Sequence, residues 1–250
     1  MSEAGVRQVG IEYKNNLQIK EMIVIMEFVL PTCAKCKIKN AEKACRVEGG
    51  KGPAFCPTKM MKEVVEQARK QYSIPEVREF ARQASIQEAE CYDKRDQIKP
   101  YVKHPIKPRL QEICEFAQKM GYKKLGIAFC SGLHTEAAAL TRVLESYGYE
   151  VVSVICKIGC TPKEEIGITE QQKINIGEPE TMCSPITQAE VLNTARTDFN
   201  IVLGLCVGHD SLFFKYAQAP TTVFAVKDRV MGHNPLAAIY TLDSYSERFK

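Results

Sequence analysis

Residues 124–155 read KLGIAFCSGLHTEAAALTRVLESYGYEVVSVI, and they predict a strand, a helix and a second strand in that order. The strands, Lys124–Phe129 and Val151–Ile155, are short apolar runs. The helix runs from Thr135 to Tyr147 and is ended by Gly148. Strands that are apolar on both faces and joined through a helix are typical of a parallel sheet covered on both sides. This stretch therefore predicts an α/β domain.

The same alternation of elements continues on both sides of this unit. The further elements that we predict are helices over Leu110–Met120, Pro185–Arg196 and Ser211–Ala217, and strands over Ile201–Leu205 and Thr222–Val226. We expect a parallel, Rossmann-like three-layer sheet domain over residues 100–250. Residues 26–99 are predicted to form a small Cys-rich metal-binding knuckle followed by helices. Residues 1–25 are expected to be an N-terminal extension, disordered or loosely ordered.

The composition of the chain favours a reducing compartment. Eleven cysteines, an odd number, cannot all pair within one chain, and the long aliphatic runs are unlike a small disulfide-rich secreted scaffold. We therefore expect a cytoplasmic protein. The net charge of +4 is spread without a basic stripe, and the apolar run Met22–Leu30 is too short to span a bilayer. The expected partners are a redox protein or a small-molecule substrate, without nucleic acid or membrane.

Four cysteines in the N-terminal part are candidate metal ligands: Cys33 and Cys36 in a C-x-x-C, then Cys45, then Cys56 directly before Pro57. Four thiolates in a short loop-rich segment can close around one zinc ion or one iron–sulfur cluster. Zinc ribbons usually show a second close pair of ligands, which this segment lacks. A Cys-Pro dipeptide ends ferredoxin-type cluster motifs. An iron–sulfur cluster of the 4Fe-4S type is favoured over zinc, which is the alternative, and four unrelated buried or free thiols is the least favoured interpretation.

Four more cysteines are placed at the ends of predicted elements. Cys130, Cys156 and Cys206 each directly follow a predicted strand, and Cys183 precedes Ser184, the expected N-cap of a helix. Because parallel strands direct their carboxyl ends to one edge of the sheet, we expect these cysteines to converge there and bind a second cofactor. A reactive thiol, a disulfide pair, or plain packing of small apolar side chains would also explain them.

Three polar residues near the same edge are candidates for proton handling: His209, Asp228 and His233. His209 is also a candidate to complete the second centre or to donate a hydrogen bond to a cluster sulfur. Lone histidines are more often structural, and Asp228 between Lys227 and Arg229 would also fit a solvated ion pair. The glycines form neither a G-x-G-x-x-G nor a Walker A loop, so nucleotide binding is not expected.

The chain resembles an uncharacterised, cysteine-rich family of bacterial and archaeal proteins named for metal binding, which carries a domain of unknown function. The resemblance extends from about Cys33 onward and lies in the runs CAKC, GIAFCSGL, SVICKIG, PKEEIG, MCSPITQAE, TDFNIVLGLCVGHDSLFFK and APTTVFAVKDRVMGHNPLAA. It implies metal binding by the four N-terminal cysteines. It also implies importance for Cys130, Cys156, Cys183 and Cys206, and for His209 and Asp228, and it supplies no substrate.

Three functions fit these patterns. The leading hypothesis is an iron–sulfur or redox protein whose strand-end thiolates bind or reduce a small substrate. The alternatives are a non-enzymatic carrier or sensor of metal or electrons, and a zinc-stabilised scaffold with a reactive thiol. The sequence does not decide whether the protein is an enzyme.

Overall fold

The structure is a computed structural model, and it describes residues 30–96 and 102–249. The chain divides into two compact units between Val77 and Arg78. The extension expected over residues 1–25 lies outside the described residues.

The first unit is built from turns and short helices. Single 3₁₀ turns lie at Cys33–Lys35 and Asn40–Glu42, and they are followed by helices α1 (Pro57–Met60) and α2 (Lys62–Gln71). None of the described residues from 30 to 77 is buried. The apolar positions that predict the helices therefore form no closed core within this part of the chain.

The second unit begins within a long helix, α3 (Pro75–Glu90), and contains the sheet domain. Its further helices are α4 (Arg109–Lys119), α5 (His134–Ser146), α6 (Pro185–Thr194), α7 (His209–Tyr216) and α8 (Leu236–Tyr240). Its strands are β1 (Tyr92–Asp93), β2 (His104–Pro105), β3 (Lys124–Phe129), β4 (Glu150–Ile155), β5 (Phe199–Leu203) and β6 (Thr221–Ala225). Strands β1 and β2 pair antiparallel in a small separate sheet.

The main sheet of the described chain is parallel throughout, in the order β4-β3-β5-β6. The chain moves outward from β3 to β4 and then crosses to the other side of β3 to form β5. The carboxyl ends of β3 and β5 therefore border a topological switch point, where open α/β sheets place their ligand crevice. The predicted α/β fold with a parallel sheet is confirmed.

Helices cover both faces of this sheet, as expected for three layers. Along β3 the side chains alternate: Leu125 and Ile127 pack with α4 and α5, whereas Ala128 packs with α6 and α7. This period of two puts consecutive residues of a strand on opposite faces. Both faces are therefore buried, which is why the strands read as unbroken apolar runs.

The bounds of most predicted elements agree with the structure to within a few residues, and β3 has the predicted bounds. Strand β5 differs, since it begins at Phe199 and ends at Leu203 rather than running from Ile201 to Leu205. It ends early because Gly204 has a φ of 70°, which is outside the strand region. A Cβ atom at Gly204 would lie 2.1 Å from the Leu133 Cδ1 atom, so glycine is required there.

No helix in the described ranges combines the length and the apolar character needed to cross a membrane.

Candidate functional site: two groups of cysteines

The four N-terminal cysteines line one cavity of about 100 Å³. Cys33 and Cys36 are brought together by one turn, in which the Cys36 N–H donates to the Cys33 carbonyl at 3.1 Å. Cys45 lies in the turn that follows the bridge between Lys43 and Lys51. Cys56 directly precedes α1, and its carbonyl accepts two N–H bonds of that helix at 3.0 Å. The structure thus brings together the four cysteines that the sequence proposes as one set.

Two glycines allow the chain to close around this cavity. A Cβ atom on Gly52 would lie 2.8 Å from both the Cβ and the Sγ atom of Cys56. A Cβ atom on Gly50 would lie 2.7 Å from the Ala44 nitrogen and the Lys43 carbonyl group. Real Cβ atoms essentially never lie so close to their neighbours. The close approach of Gly50 to the backbone of Lys43 and Ala44, and of Gly52 to the Cys56 side chain, therefore depends on glycine.

None of the cysteines in the described parts of the chain forms a disulfide bond. All eleven cysteines lie in the described parts of the chain, and all are free. Over residues 30–96 and 102–249, no group of three or more His, Cys, Asp or Glu side chains is arranged to hold a metal ion. An exposed ion pair between Lys51 and Glu42, at 2.7 Å, adds little to the stability of this segment.

The strand-end cysteines meet at the carboxyl edge of the main sheet. The Cys130 N–H donates to the Leu203 carbonyl at 3.1 Å, and the Cys156 N–H donates to the Phe129 carbonyl at 2.9 Å. Both cysteines thus continue the sheet pairing one residue beyond β3 and β4. Cys183 reaches the same edge from the loop before α6, and its Sγ atom lies 3.8 Å from that of Cys156.

The three contacting thiols differ in acidity. A hydrogen bond with Cys156 and burial together raise the pKa of Cys130 to about 12, which keeps that thiol neutral. A hydrogen bond from Cys156 lowers the pKa of Cys183 to about 6; burial opposes this shift and the Lys157 charge assists it. Cys183 is therefore the thiolate of the group at neutral pH, and its sulfur contacts that of Cys156.

Cations surround this edge of the sheet. The Arg229 Nη2 atom donates to the Cys206 Sγ atom at 3.2 Å, and that hydrogen bond raises the pKa of Arg229. The Lys227 Nζ atom is close to the loop after β3, since it lies 3.3 Å from the position that a Cβ atom on Gly132 would take. With Lys157, the edge therefore carries three cationic side chains.

His209 is half-buried at the start of α7. Its N–H donates to the Cys206 carbonyl at 3.0 Å, which ties the helix to the cysteine. Burial, and then the Lys157 charge, lower the pKa of His209, so the ring is neutral at pH 7 and can accept or donate a proton.

Asp228 and His233 hold the turn that follows β6. The Asp228 Oδ1 atom accepts the N–H groups of Val230 and Met231 at 3.0 and 2.8 Å. The His233 Nδ1 atom lies 3.1 Å from the Asp228 backbone nitrogen and 3.2 Å from the Val226 carbonyl oxygen. Their catalytic role stays a prediction, as does a second cofactor on the strand-end cysteines.

Some residues that contact or influence the cysteines are not found by searching the sequence for cysteine and histidine alone. The Ser131 N–H donates to the Cys156 Sγ atom at 3.3 Å, and Lys157 and Arg229 act on neighbouring sulfurs. Ser131 and Lys157 each come directly after a strand-end cysteine, and this position was the available signal. The remaining cysteines are placed outside this group: Cys91 and Cys114 are buried, and Cys160 is exposed.

These features define a parallel α/β protein with a thiol-rich site at its switch point. A sequence model of the family described as "Protein of unknown function (DUF1847)" matches residues 56–224, and the chain belongs to this family. A relative, the uncharacterized protein MJ0455 of Methanocaldococcus jannaschii, is 55% identical over 135 residues, which cover 54% of this chain and 68% of the relative. The predicted resemblance to an uncharacterised family is confirmed. The matched range includes every strand-end cysteine but, of the N-terminal set, only Cys56.

Proposed function

We propose that this protein binds an iron–sulfur cluster, of the 4Fe-4S type, through Cys33, Cys36, Cys45 and Cys56. We further propose that the thiolate site at the carboxyl edge of the sheet binds or reduces a small substrate. The supporting observation is that four cysteines line one cavity in a segment without buried residues or disulfides.

The physical reason lies in what can stabilise such a segment. A part of a chain that buries little apolar surface usually needs disulfides, a metal or an assembly partner to be stable. Residues 33–56 contain no buried residue, and their cysteines are free. Binding of metal to four thiolates supplies folding free energy directly. The cysteine cavity is therefore the feature that would stabilise this segment once it is filled.

Two features favour an iron–sulfur cluster over zinc. The segment has one C-x-x-C pair instead of two, and Pro57 follows Cys56. When bound, such a cluster supplies one-electron transfer.

The sheet edge offers the groups that a reductive or binding site needs. Cys183 provides a thiolate, Cys130 a neutral thiol, and His209 a neutral imidazole beside three cations. Eleven free cysteines fit the cytoplasm, where thiols are kept reduced. A redox protein is the expected electron partner of the cluster, and a small molecule is the expected occupant of the sheet edge.

Paired variants test the cluster. Gly52→Ala places a methyl group against the Cys56 sulfur, whereas Gly49→Ala controls for backbone strain alone, because its φ of 70° disfavours alanine but a Cβ atom there meets no atom within 4 Å. After anaerobic purification, we expect Gly52→Ala and Cys45→Ser to lose most of their iron and visible absorption. Gly49→Ala and Cys160→Ser should retain both. Full iron content in Cys45→Ser, or zinc with no iron in the unaltered protein, would overturn the assignment.

A further inference from the structure

Cys156 and Cys183 are placed as partners in a dithiol. Their sulfurs are 3.8 Å apart, and the Ser184 N–H donates to the Cys156 carbonyl at 2.8 Å, which ties the two backbone segments together. A disulfide bond is about 2.05 Å long, so the sulfurs must approach by about 2 Å to form one.

The loop that brings Cys183 back to Cys156 is fastened along its length. The Met182 N–H donates to the Thr161 carbonyl at 2.8 Å, and an ion pair of 2.5 Å joins Lys163 to Glu180. The Lys173 side chain is only 4% exposed, and its ammonium group contacts the carboxylates of Glu164 and Glu170 at 2.5 and 2.8 Å. These contacts therefore hold the loop in the position that brings the Cys183 sulfur next to that of Cys156.

The two thiols differ in access. Cys156 is 2% exposed and receives the Ser131 N–H, whereas Cys183 is half-buried and reachable from solvent. The Ser184 hydroxyl next to it is buried and lacks a hydrogen-bond partner within the described structure. An incoming group can therefore reach Cys183 before Cys156.

We propose that Cys183 and Cys156 form a redox-active dithiol that reduces a small, negatively charged organic disulfide. This inference rests on the proposed function of the sheet edge as a substrate site. Cys183 is the attacking residue and Cys156 the resolving one. The cations Lys157, Lys227 and Arg229 favour an anionic substrate over a neutral one.

The two steps balance in atoms and electrons. The Cys183 thiolate attacks one sulfur of the substrate RSSR, the S–S bond breaks, and a thiolate RS⁻ leaves. Cys156 then attacks the Cys183 sulfur of the mixed disulfide, releases the second RS⁻, and gives its proton to a leaving thiolate. The protein dithiol is oxidised by two electrons and the substrate is reduced by two. A small dithiol such as dithiothreitol restores the protein.

The test uses the anaerobically purified holoprotein and substoichiometric dithiobis(nitrobenzoate), an anionic disulfide, with peptide mapping by mass spectrometry. We expect a disulfide joining the Cys156 and Cys183 peptides and no retained adduct at Cys183. Cys156→Ser should instead retain the mixed disulfide on Cys183. Cys183→Ser should leave Cys156 unmodified, and Cys160→Ser should behave as the unaltered protein.

The neutral reagent dithiodipyridine tests the charge preference. One cation near the reacting sulfur is worth about 1 kcal/mol in water, so Lys157→Met should lower the anionic-to-neutral rate ratio about threefold to fivefold. An unchanged ratio would refute the anionic preference.

Two results would overturn the dithiol: an adduct that persists on Cys183 in the unaltered protein, or a Cys183 that reacts only after chelation, which would indicate a metal centre. Iron measured in the same samples separates the proposals. A Cys156–Cys183 disulfide in iron-free protein would refute the cluster and leave the dithiol.

Discussion

The acidity of Cys183 gives the sharpest prediction for the sheet edge. Its pKa of about 6 follows from the hydrogen bond of Cys156 and the charge of Lys157. Alkylation by iodoacetamide requires the thiolate, so the rate at Cys183 should rise with pH through about 6 and level off above pH 7. The rate at the cysteine of a short unstructured peptide, with a pKa of about 8.5, should still be rising there.

The expected magnitude at pH 6 can be worked out. Half of Cys183 is ionised at that pH, against roughly 0.3% of a thiol with a pKa near 8.5, a ratio on the order of 160. A more acidic thiolate is a weaker nucleophile, with a Brønsted coefficient of about 0.45, which lowers the ratio by roughly 13-fold. Cys183 should therefore react about tenfold faster than the cysteine of a short unstructured peptide at pH 6.

Two variants test the physical causes in order. Cys156→Ala removes the largest contribution, so the midpoint of the Cys183 profile should rise most in that variant. Lys157→Met removes a smaller one and should raise the midpoint less. Peptide mapping assigns the rate to Cys183 in each case. A midpoint at pH 8 or above in the unaltered protein, or a larger effect of Lys157→Met than of Cys156→Ala, would refute the reasoning.

Three further predictions concern the frame around the sites. Gly204→Ala should lower the free energy of unfolding by about 2–5 kcal/mol, because the clash with Leu133 adds to the cost of a left-handed backbone. Gly177→Ala has a φ of 90° but open space around its Cβ atom, so it should lower the free energy of unfolding by only about 1–2 kcal/mol. Lys173→Met should make the loop between β4 and α6 more susceptible to proteolysis, because two carboxylates lose their shared cation. Burial raises the pKa of Glu115, but hydrogen bonds, of which that from Lys107 is the largest, hold it at about 2. Glu115→Ala should therefore destabilise the protein at pH 7. Denaturant titrations should show the difference in the free energy of unfolding between the two proteins shrinking as the pH falls through about 2.

The sheet could be predicted because its signal is local. Lys124–Phe129 is apolar at nearly every position, and only a strand buried on both faces accommodates such a run next to a helix. The start of β5 was missed because Asn200 and Phe199 precede the apolar run. Asn200 is fully buried, and its Oδ1 atom accepts the Thr197 hydroxyl at 2.7 Å, a pairing that strand patterns do not reveal.

The candidate sites divide in the same way. Placement of Cys130, Cys156 and Cys206 at one edge follows from parallel topology alone. The contact of Cys183 with Cys156 does not, because it depends on the ion pairs of the intervening loop. Likewise, Arg229 donates to the Cys206 sulfur, whereas the sequence pattern equally fitted an ion pair between Arg229 and Asp228. Such long-range pairings depend on the folded path and leave no periodic trace in the sequence.

In the N-terminal motif, the sequence pattern was informative about the cysteines and uninformative about the glycines. The spacing of Cys33, Cys36, Cys45 and Cys56 predicted one metal site; the four cysteines line one cavity, and their binding of a metal stays a prediction. The roles of Gly50 and Gly52 could not be anticipated, because they depend on which backbone segments approach each other.

Iron, acid-labile sulfide and zinc per chain, measured after anaerobic purification together with the visible spectrum, test the central claim most directly. A brown protein with about four iron and four sulfide per chain is the predicted result, and about eight of each would indicate a second cluster and contradict the free dithiol at the sheet edge. A colourless protein with one zinc and no iron would contradict the iron–sulfur assignment.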